Sequence, residues 1–272
     1  MQLQLSMNAG LPEQAGYFAV PGAHLYTVLH GVENPVARVL LVGAFASERH
    51  FSYHSWVRWA RYLAERRIEV LRYDYRGIGE STGVFEEMSF ESWNEDVQLL
   101  ADWIASRAPR VPLILHGLEL GALFASRCFH QGMGDALLLW SPPVNANQVL
   151  RSTLRRWSGL EQLYESPENR RTVSEYIRLL EQGLPIEVQG YQWSSRLWRE
   201  SFDYSLPVIE SEEAFAGTEG KKPVKMVRFG KNTAVLAMPY SRFEEIKDLR
   251  PLYSENFDWM SAALKLPIGK AQ

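Results

Sequence analysis

The 272-residue chain has a single cysteine, Cys128, so neither an intrachain disulfide nor a cysteine-rich metal site can form. That usage fits a reducing compartment, and the cytoplasm is the expected location. A charge excess is lacking too. Twenty-nine Lys and Arg oppose 32 Asp and Glu, a net −3, so nothing points to nucleic acid or an anionic membrane surface as partner. The longest apolar run, 39–46, falls far short of the roughly 18 residues of a membrane span and reads as a buried strand. The first ten residues hold no Lys, no Arg and no apolar segment, so neither a secretory signal nor a transit peptide is expected. No phosphate loop or dinucleotide fingerprint is present, because Gly77 and Gly79 lack the following helix and the third glycine. No cofactor is expected. Around His50 and His54 no Asp, Glu or Cys completes a ligand pattern, so no metal is expected either.

What is present suits a folded chain with a sizeable core: 46% of residues are apolar and 22% charged. Residues 16–20 and 24–30 flank Pro21-Gly22 and read as an edge β-hairpin. Residues 38–45 form a strand. Trp56, Trp59, Ala60 and Leu63 lie at helical spacing within 55–67, and the β-branched and aromatic run 68–73 is the next strand. The unit repeats. Residues 90–106 carry Trp93, Val97, Leu100, Ala101 and Ile104 on one stripe, 111–116 is an apolar strand, 120–130 a helix, and 136–140 a strand ended by Ser141-Pro142-Pro143.

Short apolar strands alternating with amphipathic helices need crossover connections and bury both faces of their sheet. The predicted class is therefore α/β, a mostly parallel central sheet with helices on both faces. From 147 to 205 the composition turns to helix formers rich in Arg, Glu and Trp, and no strand is expected before 224–229. The expected organisation is a core of 1–146 and 206–272 interrupted by a helical cap, 147–205. One or two strands are expected in 221–239, then a short aromatic, proline-containing end.

The strand ending at His116 runs into Gly117-Leu118-Glu119-Leu120-Gly121 and a helix. Flanking glycines permit the sharp strand-to-helix turn that, in G-x-S-x-G, forces the central side chain outward at the top of a sheet. Here the centre is Glu119. Upstream, 74–81 carries D-x-R-G-x-G-x-S after one strand, and Gly43-Ala44-Phe45-Ala46 follows another. On these motifs the chain resembles the α/β-hydrolases, in their serine-aminopeptidase-like branch. More narrowly, 117–122 and 138–144 resemble the exosortase-system-associated hydrolases and related bacterial proteins. The resemblance runs through the cap to about residue 191 and fades after about 210. It implies the α/β-hydrolase fold with a helical cap insertion. It also implies an oxyanion hole from the N–H of Leu120 and of Phe45 or Ala46, and a triad in the order nucleophile, acid, histidine.

That triad does not assemble from this sequence. A serine nucleophile needs a histidine base held by an acid. Glu119 stands in place of the serine, and all six histidines, at 24, 30, 50, 54, 116 and 130, precede the loop where the base belongs. Loss of one triad member lowers the rate by about 10⁴- to 10⁶-fold, and loss of a second adds little. The leading expectation is a pseudo-hydrolase that keeps a binding or scaffold role. The alternative is an ester or acyl hydrolase, or an acyltransferase, using Glu119 or an unrecognised nucleophile. Aspartate nucleophiles occur in dehalogenase- and epoxide-hydrolase-like relatives, but glutamate is one methylene longer and the histidine that releases the intermediate is missing.

The plainer reading of Glu119 is a carboxylate favoured by the helix dipole, paired with a nearby Arg and filling or neutralising the oxyanion hole from within. His50, His54 and Ser141 are pocket candidates; their plainer readings are exposed or capping histidines and a turn serine. His116 reads as a core histidine, and Asp74 and Arg76 as structural charges. Arg151, Arg155, Arg156, Arg170 and Arg171 give the cap either an anion- or partner-binding face or a solvated one. A small molecule or a protein is the expected partner, and nine Trp beside an Arg-bearing cap leave a homo-oligomer or larger assembly open.

Overall fold

The computed structural model describes residues 4–8, 11–207, 222–229 and 248–267. Strand β1 (Gln4–Asn8) pairs antiparallel with β2 (Leu11–Val20), which turns at Pro21-Gly22 into β3 (Ala23–His30). Gly22 holds φ +76° there, a left-handed conformation that a Cβ disfavours. Alternating strands and helices follow: β4 (Ala37–Val42), α1 (Ala46–Ala64), β5 (Ile68–Tyr73), α2 (Phe90–Ser106), β6 (Leu113–Leu118), α3 (Gly121–His130) and β7 (Ala136–Trp140). With β10 (Val224–Val227) they form an eight-stranded sheet in the order β1-β2-β3-β5-β4-β6-β7-β10, parallel from β5 to β10.

Strands β4, β6 and β7 are buried along their whole length, as parallel strands covered on both faces must be. The pleat divides their side chains between two core layers. Val39, Leu41, Ile114, Leu138 and Trp140 join Trp56, Trp59 and Leu63 of α1 and Tyr253, Phe257 and Met260 of α7 (Arg250–Ala263). Leu40, Val42, Leu115, Leu137 and Leu139 join α2 and α3. Helix α2 starts on a capping box in which Ser89 and Ser92 satisfy each other's backbone N–H, a contribution of about 1 kcal/mol.

Between β7 and β10 lie α4 (Ala146–Tyr164), α5 (Val173–Glu181), a hairpin of β8 (Ile186–Val188) and β9 (Tyr191–Trp193), and α6 (Ser195–Glu200). This segment is tied to α2: the Phe90 N–H donates to Glu200 at 2.8 Å and the Tyr204 hydroxyl to Glu91 at 2.9 Å.

Four features depart from the sequence reading. The expected edge hairpin of 16–30 is not at the edge, because β2 begins already at Leu11 and β1 pairs outside it. A hairpin stands where no strand was expected. Its turn, Gln189-Gly190, holds two positive φ angles, +53° and +81°, so a polar-Gly pair between alternating apolar residues was the available signal. Helix α1 begins at Ala46 rather than Ser55, because its first turn is held by distant partners: Glu48 pairs with Arg156 of α4, and Arg49 with Asp74. The chain end forms α7, whose proline sits in the first turn where its missing N–H leaves no helical bond unmade. Of the strands expected in 221–239, β10 is present, and the remainder beyond 229 lies outside the described residues. Among the described residues no helix is long and apolar enough to cross a membrane.

Candidate functional site

Strands β4, β6 and β7 are neighbours, and each ends in a strained residue. Ala46 beyond β4 has φ +37°, Glu119 beyond β6 has φ +50° and Ser141 beyond β7 has φ +46°. Positive φ is uncommon for non-glycine residues, and three of the seven that hold it among the described residues lie at this one edge of the sheet. At the elbow the forcing contacts are visible. A Cβ on Gly117 would lie 2.3 Å from the Ala122 Cα, and one on Gly121 would lie 2.2 Å from the Val42 carbonyl oxygen. Helix α3 can approach the sheet this closely only because both residues are glycine. The Glu119 N–H donates to the Trp140 carbonyl at 2.9 Å, pinning the turn to β7.

Glu119 is partly exposed as a residue, yet among the described residues its carboxyl has no hydrogen-bond or ion-pair partner. Burial alone pushes its pKa up to about 7. The expected Arg partner is therefore not there. The carboxyl also does not fold back onto the oxyanion-hole positions, since no acceptor among the described residues takes the N–H of Phe45 or of Leu120. Among the described residues the N–H of Leu120 on the elbow and that of Phe45 on the loop after β4 thus stay unbonded, beside a carboxyl that is about half protonated near pH 7.

Phe45 and Ala46 are buried, and the Phe45 ring packs against Phe85, Trp93 and, from β9, Trp193 at a centroid distance of 6.0 Å. The Trp193 Nε1 is buried with no partner among the described residues. The closeness of Trp193 to the oxyanion loop depends on the unforeseen hairpin of β8 and β9.

The other candidates are placed as follows. Ser141 donates its N–H to Val227 at 2.8 Å, and its hydroxyl accepts the Phe229 N–H at 3.4 Å. His50 and His54 are exposed on α1, with no hydrogen bond or ion pair among the described residues. His116 is enclosed by Trp56, Trp59 and Trp140; its Nδ1 lies 3.0 Å from the Leu138 carbonyl, and burial lowers its pKa to about 3. It is a neutral core residue. Asp74 accepts from both Nε and Nη2 of Arg49 at 2.7–2.9 Å and from the Glu80 N–H at 3.1 Å. A Cβ on Gly79 would lie 2.2 Å from its Oδ2, so the glycine makes room for the carboxylate. Arg76 is paired with the fully buried Asp96, and its carbonyl accepts the Trp93 indole N–H at 3.0 Å. The D-x-R-G-x-G-x-S segment is therefore a structural knot. No feature of the sequence marked Arg49 as its partner, 25 residues away. Among the described residues no three His, Cys, Asp or Glu side chains gather into a metal-holding group.

A doubly covered, mostly parallel sheet with a strained glycine-flanked elbow after β6, facing an oxyanion-type loop after β4, defines an α/β-hydrolase. The chain belongs to the serine aminopeptidase S33 family, whose model matches residues 35–174, just over half of its length. The uncharacterized protein YfhR of Salmonella typhi is 27% identical over 208 residues, covering 68% of each chain. The α/β hydrolase GrgF from Penicillium sp. sh18 superposes with a TM-score of 0.59 at 15% identity, over 94% of this chain and all of that one. Est1E from Butyrivibrio proteoclasticus, solved with ferulic acid bound, superposes with a TM-score of 0.58 at 15% identity, over 92% of this chain and all of its own. At such identities the two structures share the fold.

Proposed function

We propose that this chain is a pseudo-hydrolase, a protein that binds a ligand or partner at the hydrolase cleft without serine-type hydrolysis. The observation that carries this reading is the Glu119 carboxyl on the elbow, which has no partner among the described residues. A carboxyl with a pKa near 7 is half neutral at physiological pH, which makes it a poor nucleophile and a competent hydrogen-bond donor. Together with the N–H groups of Phe45 and Leu120, which no acceptor takes among the described residues, it suits a carbonyl or other neutral acceptor oxygen. No histidine follows residue 130 to activate water or a serine. In this reading 147–205 acts as a cap over a core of 1–146 and 206–272, the site is read in the cytoplasm, and the occupant is a small molecule or a protein surface.

The test uses activated short-chain p-nitrophenyl esters and a fluorophosphonate. Saturable quenching of tryptophan fluorescence by the ester, without nitrophenol release or covalent labelling, is the expected result. Turnover or labelling abolished by Glu119→Gln or Ser141→Ala would instead make this an ester or acyl hydrolase or acyltransferase, and the proposal would be wrong.

A further inference from the structure

Beyond the end of β7, Val144, Asn145, Asn147, Gln148, Arg151 and Arg155 line a cleft of about 360 Å³. That is at the small end of the range for small-molecule sites, about 300 to 1,000 Å³. The side-chain acceptors in this lining are already used. The Gln148 N–H donates to Asn145 Oδ1 at 2.8 Å, the Val144 N–H to Gln148 Oε1 at 3.3 Å, and Arg151 Nε to Asn147 Oδ1 at 2.7 Å. The Val144 carbonyl accepts from the Leu206 N–H at 2.8 Å. These bonds leave the NH₂ groups of Asn145 and Gln148 as unspent ends. Asn147 gives its NH₂ to the Ser201 hydroxyl at 2.9 Å, and those of Asn145 and Gln148 have no acceptor among the described residues.

The two guanidiniums are spare in the same sense. Arg155 is exposed and has no partner among the described residues. Arg151 lies 5.1 Å over the Trp198 ring, which orients it, and only its Nε is engaged. No Asp or Glu lines the cleft. A shallow depression with two positive charges and unspent N–H donors is complementary to an oxyanion, and guanidinium planes match carboxylate and phosphate oxygens in pairs. Val144, 62% exposed, adds an apolar wall.

We propose that this cleft binds a small molecule through a carboxylate or phosphate group held by Arg151 and Arg155, with an apolar portion against Val144. The site is separate from the Glu119 elbow and requires no hydrolysis, so it stands or falls independently of the pseudo-hydrolase reading.

Calorimetric titration of the full chain at low salt with inorganic phosphate and, separately, sodium butyrate tests it. Saturable binding of at least one anion with a Kd of about 1 mM or tighter is expected. Arg155→Gln, which removes a guanidinium that has no partner among the described residues, is expected to weaken it about tenfold or more at an unchanged melting temperature. Tighter phosphate marks a phosphoryl ligand and tighter butyrate a carboxylic acid, and either supports the proposal. Absence of saturable binding of both anions, or undiminished binding by Arg155→Gln, overturns it.

Discussion

Replacing Glu119 with glutamine probes the elbow most directly, since it keeps the side-chain length and the backbone demand while removing the ionisation. The ordinary pKa of the group is 4.5 and burial raises it to about 7 in the folded chain. The folded state therefore holds this proton more tightly than the unfolded chain. The resulting stabilisation is fully present below about pH 4.5 and is lost as the pH rises through 7. A shift of this size corresponds to about 3 kcal/mol in full, of which roughly 2 kcal/mol falls between about pH 5 and about pH 8. Glutamine has no such dependence. Glu119→Gln should accordingly gain on the wild type as the pH rises, by an amount that moves the melting temperature roughly 4–8 °C for a chain of this size. Scanning calorimetry of both proteins across that range gives the difference curve, which cancels every other titrating group. Parallel curves would mean that Glu119 ionises normally and is solvated or paired, and the picture of a desolvated, unpartnered carboxyl at the elbow would have to be abandoned.

Two further outcomes follow from the surroundings. Gly121→Ala would bring a methyl group to within 2.2 Å of the Val42 carbonyl oxygen and 2.3 Å of that of Gly43, both fixed in or next to the sheet. A loss of about 3 kcal/mol in urea unfolding is expected, and an unchanged midpoint would show that α3 is not seated as described. His116 has its pKa lowered from 6.5 to about 3, so it contributes stability that is present above pH 6.5 and lost as the pH falls toward 3. His116→Gln should remove about 1.4 kcal/mol of acid sensitivity per pH unit in that window, read as a shallower fall of melting temperature, and an unaltered slope would count against it.

The sequence by itself determined most of the core. Strand β5, helix α2 and strand β7 fall where the β-branched and aromatic run, the helical apolar stripe and the Ser141-Pro142-Pro143 stop place them, because these signals arise within a few residues of each other. It also determined the elbow and the absence of any histidine beyond residue 130, since residue identity and order are covalent facts. Only the tertiary structure decided what surrounds those residues. Glu119 lacks the Arg expected beside it, while Arg49 and Arg156 are occupied by Asp74 and Glu48, pairings that join α1 to distant segments and leave no local trace. The early start of α1 has the same origin. Local physics writes secondary structure into neighbouring residues, but desolvation and charge pairing depend on which groups folding brings together, and that is settled by the packing of the whole chain.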